Sequence, residues 1–156
     1  MTRLAFLSAE GIPFASPLEH VPGIVDVSAL GKLEIRGELG RVEPAPGEEL
    51  ISITPARALL VCDGSPAAAQ ERLSAEGFRV YDLTSALAGL ELRGEKLMRR
   101  LTELDLEALP AAGAVARGVP AVIERRDGER FRLFVPRELG HYVAEVVLDL
   151  GEGLGR

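Results

Sequence analysis

A β-hairpin is the most strongly constrained element that can be predicted in this chain. Residues 119–136, VPAVIERRDGERFRLFVP, contain two runs rich in Val, Ile and Phe on either side of Asp127-Gly128. An Asp-Gly pair between two such runs is typical of a two-residue hairpin with a type I′ turn. The segment therefore predicts two neighbouring antiparallel strands, and we expect the charges of ERRDGER (124–130) at the exposed tip of the hairpin.

A second feature is a phrase that occurs twice. LGKLEIRGE (30–38) and LAGLELRGE (87–95) share their Leu, Glu, Arg and Gly spacing, and they follow the similar stretches VDVSA (25–29) and YDLTSA (81–86). The alternation of apolar and polar residues predicts that each copy is a half-buried strand with Leu and Ile facing the core. Two equivalent positions in a sheet explain the repeat best, and a duplicated ligand site is the alternative.

The remaining periodic segments add strands and helices in mixed order. Period-two or continuous apolar runs predict strands at 50–55, 57–63 and 78–83, and helical periodicity predicts helices at 63–77, 95–104 and 137–150. Because the hairpin requires antiparallel pairing, this order predicts an α+β fold, with helices packed on one face of a mostly antiparallel sheet.

The helix at 63–77 has the clearest boundaries. Ser65 is a suitable N-cap, Pro66 suits the first helical position, and Gly77 suits a left-handed C-cap. Its core-facing side is expected to consist of Ala68, Ala69 and Leu73.

The chain is predicted to contain one domain. Residues 24–150 form that domain, 151–156 form a tail, and 1–23 form an irregular N-terminal arm because GIPFASPLEHVPG (11–23) contains three Pro and two Gly. The arm is suited to wrap on a partner.

Composition limits the possible functions. A formal net charge of -6 and an aromatic content of 4% argue against nucleic-acid binding. The chain has no apolar run long enough for a membrane helix and no secretory leader pattern, so we expect a cytoplasmic location.

The one cysteine, Cys62, is expected to be a small core residue and excludes an intrachain disulfide, while His20 and His141 are expected to be solvated. The sequence predicts neither a metal site nor a catalytic residue.

One long segment resembles a known family. YDLTSALAGLELRGEKLMRRLTELDLEALPAAG (81–113) resembles the aminomethyltransferase-like folate-binding superfamily, which includes the glycine-cleavage T protein, and GIVDVSALGKLEIRG (23–37) resembles the opening phrase of that family. Over residues 24–150, with TPARALLVCDG (54–64) as the middle strand, the chain is similar to the γ subunits of heterotetrameric sarcosine oxidases. The resemblance implies a fold like the aminomethyltransferase folate-binding domain.

The resemblance also implies a function. It implies a non-catalytic structural subunit that packs against larger α and β oxidase chains. The chain alone would then bind no cofactor, and flavin and NAD would be held by those partners. The glycine-rich segment that follows the family turn is replaced here by ARGVPAVIERRDGERF (116–131).

The alternative that the resemblance leaves open is a stand-alone protein that binds tetrahydrofolate or transfers an aminomethyl group in one-carbon metabolism, acting as a homo-oligomer. Asp105, in the turn LTELDLEALP (101–110), is the one residue that the resemblance assigns to folate. A role in the turn itself is the other interpretation of Asp105.

Overall fold

The computed structural model of this chain describes residue 18 and residues 23–154. The strands in these residues are β1 (Val25–Asp26), β2 (Gly31–Arg36), β3 (Glu48–Thr54), β4 (Arg57–Cys62), β5 (Arg79–Asp82), β6 (Leu87–Arg93), β7 (Ala111–Val115), β8 (Val119–Asp127) and β9 (Arg130–Pro136). The α-helices are α1 (Pro66–Ala75), α2 (Glu95–Leu101) and α3 (Gly140–Leu154), and short 3₁₀ turns occur at Leu39–Arg41, Leu106–Ala108 and Arg137–Leu139.

The strands form two antiparallel sheets. The four-stranded sheet has the order β3-β4-β2-β5, and the five-stranded sheet has the order β1-β6-β9-β8-β7. Helix α1 packs on the outer face of the four-stranded sheet, and α2 and α3 pack on the outer face of the five-stranded sheet. The prediction of an α+β fold with antiparallel pairing and helices on one face of a sheet is confirmed, and this arrangement occurs twice.

The inner faces of the two sheets contact each other through a small apolar cluster. Ile51, Leu59 and Val61 of the four-stranded sheet meet Phe134 of the five-stranded sheet there. Ala58 and Leu60 alternate with these residues in β4 and point outward, where they pack with α1. Because successive side chains point to opposite faces, each sheet packs with helices on its outer face and with the other sheet on its inner face.

The two copies of the doubled phrase lie at equivalent positions, one in each sheet. In the four-stranded sheet Leu33 pairs with Leu60 and Arg36 with Arg57. In the five-stranded sheet Leu90 pairs with Leu133 and Arg93 with Arg130, which is the same register. The next strands, β3 and β8, repeat the pattern and have a register shift at the same place. Residues of the two sheets that share a place in this register are called internal equivalents below.

The stretches before the two copies cross between the sheets. Asp26 of β1 precedes the first copy but pairs with Leu90 of the second, and Asp82 of β5 precedes the second copy but pairs with Leu33 of the first. Each half of the chain therefore supplies an edge strand to the sheet of the other half.

Hydroxyl side chains hold both crossings. The Gly89 amide donates to Ser28 Oγ (3.0 Å), and the Lys32 amide donates to Thr84 Oγ1 (3.0 Å). Asp26 and Asp82 each accept from the amide two residues later (2.9 Å in both cases). The acidic-hydroxyl stretches of the sequence are thus paired connections, and their side chains satisfy backbone groups of the opposite strand.

The hairpin is confirmed, but its turn type is corrected. Asp127 pairs with Arg130, so the two loop residues are Gly128 and Glu129. Of these two, Gly128 alone has a positive φ (48°), which fits a type II′ turn, whereas type I′ needs a positive φ at both loop residues. The register shift before Asp127 moves the turn by one residue from the predicted Asp-Gly pair.

The prediction that all charges of ERRDGER (124–130) lie at an exposed tip is wrong for Glu124. Glu124 is only 8% exposed because β8 carries it on the inner face of the sheet, between the two sheets. The alternation of inward and outward side chains in β8 therefore extends closer to the turn than the run of charges indicates.

The predicted helices form with small differences. Ser65 precedes α1 without a side-chain capping bond, Pro66 is its first residue, and Gly77 follows it with a positive φ (96°). Ala69 and Leu73 are buried, but Ala68 is exposed, contrary to the prediction. Helix α3 begins at Gly140 after a 3₁₀ turn and continues to Leu154, past the predicted end at 150.

Most of the predicted N-terminal arm, including His20, lies outside the described residues. Leu18 is described and is 8% exposed, packed with the core on the outer face of the five-stranded sheet. Its side chain lies against Gly140, where an added Cβ would come within 3.1 Å of it.

Candidate functional site

A cavity of about 410 Å³ lies between the two sheets. Ile53 and Leu59 form its wall on the four-stranded sheet, and Val122 and Phe134 form its wall on the five-stranded sheet. The exposed Ala112 of β7 also lines it. Its volume falls in the range of roughly 300–1,000 Å³ that is usual for small-molecule sites, so the cavity is the first candidate for a functional site.

An ion-paired carboxylate lies at this cavity. Glu34 accepts from Arg36 Nε (2.8 Å) and from Arg57 Nε (3.1 Å). Burial alone would raise the pKa of the Glu34 carboxyl, but the hydrogen bonds from the two arginines hold it below its usual value. Glu34 and Arg57 both line the cavity, so its polar groups are one carboxylate and one guanidinium.

The opposite end of the inter-sheet space contains charged residues instead of a cavity. The internal equivalents of Ile51, Ile53 and Leu59 are Glu124, Arg126 and Arg132. Arg132 donates to Glu124 Oε2 (Nε, 2.9 Å) and to Glu49 Oε1 (Nη2, 2.7 Å), and Arg126 binds Glu49. These four residues, the inter-sheet ion cluster, connect β3 to β8 and β9.

The ion cluster changes the proton affinity of both of its carboxyls. Burial raises the pKa of Glu124 to about 7, and the hydrogen bond with Glu49 adds to this. Burial would also raise the pKa of Glu49, but the hydrogen bond from Glu124 and the charge of Arg126 hold it below its usual value. Near neutral pH, Glu49 is therefore ionised, while Glu124 is present in both its protonated and its ionised form.

Lys32 is buried where the two crossings meet, and sequence reasoning did not single it out. Its side chain is fully buried, and Nζ donates to the carbonyl oxygens of Ser28 and of Leu87 (2.8 Å for Leu87). Burial lowers the pKa of Lys32 to about 8, against the opposing charge of Asp26. The signal in the sequence was the charged residue in the first copy at the place where the second copy has Gly89.

Gly89 shows why the second copy cannot carry a side chain there. An added Cβ would lie 2.9 Å from Val27 Cγ2 and 3.1 Å from Phe134 Cε1. The same strand position therefore holds a buried lysine in the four-stranded sheet, whereas in the five-stranded sheet it has no room for a side chain.

Asp105 lies at the start of the 3₁₀ turn Leu106–Ala108. Its Oδ1 accepts from the Glu107 amide (3.0 Å), and the residue is exposed. It does not line the inter-sheet cavity. The structure thus shows the turn role that the sequence allowed for Asp105, while a contact of Asp105 with folate stays a prediction.

A second hollow, of about 510 Å³, lies between α2, α3 and the β7–β8 turn. Arg100, Arg117 and Tyr142 line it together with Asp149. Arg117 and the preceding Ala116 both have a positive φ (67° and 47°), an uncommon backbone conformation for residues other than glycine. Its lining is more polar in character than that of the inter-sheet cavity.

Other sequence expectations are resolved by burial and exposure. Cys62 is a free, buried thiol whose pKa is raised by burial, as expected for a core residue. His141 is exposed on α3 and bonds Glu145 (Nε2 to Oε1, 2.8 Å). Within the described part of the chain, no group of three or more His, Cys, Asp or Glu side chains is placed to hold a metal ion. Among the same residues, no helix combines the length and the apolar character needed to cross a membrane.

Comparison of the sequence with protein-family models and with curated proteins gives no match. Comparison of the structure with solved structures does give matches. One is a chain of the heterotetrameric sarcosine oxidase from Corynebacterium sp. U-96, with a TM-score of 0.69, 16% identity and coverage of 85% of both chains. Another is the regulatory subunit of aspartate kinase from Thermus thermophilus, with a TM-score of 0.51, 12% identity and coverage of 84% of this chain and 99% of that chain.

These likenesses are similarities of fold. The fold predicted from the family resemblance is confirmed by the match to a chain of sarcosine oxidase. Coverage of 85% of both chains also means that the matched chain and this one are of similar length.

Proposed function

We propose that this protein is a non-catalytic structural subunit of a multi-subunit amine-oxidising complex, in the role of the γ chain of a sarcosine oxidase. The observation that carries the proposal is the fold shared over 85% of both chains with a similarly sized chain of a heterotetrameric enzyme. The larger partner chains would hold flavin, NAD and folate and would carry out the chemistry.

The use of polar side chains supports a structural role. Glu49, Glu124 and Arg132 connect the two sheets, and Lys32 binds carbonyl oxygens of the two crossings. Charged groups in these places stabilise one arrangement of the sheets.

The edges of both sheets offer apolar surface to a partner. Val25 of β1 and Tyr81 of β5 are internal equivalents, each one residue before the crossing aspartate, and they are 57% and 47% exposed. Both are on edge strands, whose unpaired backbone groups are suited to contact another chain.

The test is affinity purification of the tagged full-length protein from extracts of its own cells. We expect larger chains to co-elute in fixed proportion, together with the visible absorbance of an oxidised flavin. A protein that elutes alone and colourless from cells that express amine-oxidising chains would overturn the proposal.

The alternative function is a stand-alone folate-binding or aminomethyl-transfer protein, and the exposure of Asp105 keeps it testable because a ligand could reach that carboxylate. Titration of the isolated protein with tetrahydrofolate would then show saturable binding that Asp105→Asn weakens. Glu103→Gln, at an exposed carboxylate two residues earlier, is the control that should leave binding unchanged. Absence of saturable binding would remove this alternative.

A further inference from the structure

We propose that the inter-sheet cavity binds a small monocarboxylate with an apolar body, with its carboxylate on Arg57 and its hydrocarbon between the two sheets. The argument comes from comparing the two ends of the inter-sheet space, which the repeated register makes equivalent. It concerns an activity of the isolated chain and goes beyond the proposed structural role.

We call the end of the inter-sheet space that holds the inter-sheet ion cluster the closed end, and the end with the cavity the open end. Arg130, the internal equivalent of Arg57, shows what an arginine at this position binds at the closed end. Its guanidinium holds the Asp127 carboxylate in a two-point contact, Nε to Oδ1 (2.8 Å) and Nη2 to Oδ2 (2.6 Å). It also lies 3.5 Å from Glu91 of the doubled phrase. Two carboxylates therefore surround Arg130, one from the phrase and one from the residue paired with it in β8.

Arg57, the internal equivalent of Arg130, has only one of these carboxylates. Glu34, the equivalent of Glu91, contacts Nε (3.1 Å), but Thr54 stands where the other sheet has Asp127. Among the described residues, Arg57 has no second carboxylate partner, and its side chain is 37% exposed. Guanidinium groups bind carboxylates at two points, so the missing partner is one that a ligand can supply.

The walls behind Arg57 determine the rest of the ligand. Ile53, Leu59 and Val122 line the cavity at the places where the closed end has Arg126, Arg132 and Glu49. The closed end is occupied by the protein's own ion pairs, whereas the open end is apolar, with a volume of about 410 Å³. A hydrocarbon body would be stabilised there, while a second charge would lose its hydration without a partner.

The Glu34 carboxylate further restricts the charge of the ligand. It lies beside Arg57 and is ionised, because its arginine partners lower its pKa. A ligand with two negative charges would place one of them near Glu34 or within the apolar walls. The geometry therefore favours a single carboxylate.

The first experiment is calorimetric titration of the full-length protein with octanoate and decanoate, with 1-octanol as the uncharged comparison. We expect saturable binding of one carboxylate per chain, and at least about tenfold weaker binding of the alcohol because it lacks the charge-assisted bonds to Arg57. No saturable binding, or equal binding of octanol and octanoate, would overturn the proposal.

The second experiment tests the guanidinium with a matched pair of variants. Arg57→Gln is expected to weaken octanoate binding by about tenfold or more, since a charge-assisted contact is lost. Arg130→Gln makes the same change at the equivalent place in the other sheet and is expected to leave binding unchanged. Equal effects of the two variants would overturn the assignment to Arg57.

The third experiment tests the cavity without altering a charge. Ala112 is exposed and lines the cavity, so Ala112→Phe can place a ring in it, whereas Ala114→Phe adds the same ring two residues along β7, outside the lining. We expect binding to be lost in the first variant and retained in the second. Binding that survives Ala112→Phe would overturn the location, and because no partner chain is used, either result leaves the proposed subunit function untouched.

Discussion

Lys32 places an ammonium group in the interior, where its Nζ donates to the carbonyl oxygens of Ser28 and Leu87. Replacement by Met keeps most of the apolar stem but removes the donor, so two buried carbonyl oxygens lose a partner. We expect Lys32→Met to lower the free energy of unfolding by about 2–4 kcal/mol, measured by urea unfolding at pH 7. Lys96→Met, at an exposed position of α2, should change it by less than about 0.5 kcal/mol.

Lys32 also predicts that the free energy of unfolding depends on pH in the alkaline range. Its pKa falls from 10.5 to about 8 on folding, so between these values the unfolded chain holds a proton that the folded chain has lost. Loss of this proton on folding adds stability as pH rises from 8 to 10.5 and adds none below 8, so the wild type should gain up to about 3 kcal/mol relative to Lys32→Met between pH 7.5 and 10.5. Parallel stability curves for the two proteins over this range would contradict the prediction.

Glu124 predicts the opposite trend at lower pH. Its pKa rises from 4.5 to about 7 on folding, so the folded state keeps a proton that the unfolded state releases. The stabilisation is complete below pH 4.5 and is lost as pH rises through 7. From pH 5 to pH 8 the wild type should therefore lose about 1–3 kcal/mol more stability than Glu124→Gln.

Denaturant unfolding at the two pH values measures this difference for Glu124. Glu103→Gln, at an exposed carboxyl, should follow the wild type at both. A Glu124→Gln variant that loses as much stability as the wild type would show that Glu124 is already ionised at pH 5.

At the scale of elements, the two crossings depend on one hydroxyl each. Ser28 is fully buried and accepts from the Gly89 amide, and Thr84 is half-buried and accepts from the Lys32 amide. Ser28→Ala and Thr84→Ala each leave a strand amide without its acceptor, so we expect losses of about 1–3 kcal/mol, larger for Ser28 because it is more deeply buried. Thermal unfolding measures both, with the exposed Ser85→Ala as the neutral control; a Ser28→Ala variant as stable as that control would contradict the role of the crossing.

The elements of the candidate site could be predicted only in part. Alternation in β9 was visible in the sequence and places Arg132 and Phe134 on one face, but nothing in the strand itself shows that this face meets a second sheet. For that reason the sequence pattern predicts an exposed tip for the charges near the hairpin. Glu124 is buried because β3 of the other sheet brings Glu49 to the same arginine.

At the scale of the whole molecule, the crossings predict that the two sheets unfold together. Each half supplies an edge strand to the sheet of the other, and Lys32 and the inter-sheet ion cluster add contacts between them. Native-state hydrogen exchange should therefore give the same opening free energy for the central amides of β4 and β9, equal to the global free energy of unfolding. Exchange of one sheet at a distinctly lower free energy would show that the halves open independently.

The local elements of this protein follow from patterns in its sequence. Period-two alternation, Pro66 before a helical run and glycines at element ends specify strands and helices through interactions between near neighbours, and they implied the α+β class. Long-range contacts place the two similar phrases in different sheets and make their preceding stretches cross over. They also close one end of the inter-sheet space with ion pairs and leave the other end open. These outcomes depend on which faces meet across 50 or more residues of chain, such as Glu49 with Arg132, and a local pattern does not encode the partner of a face.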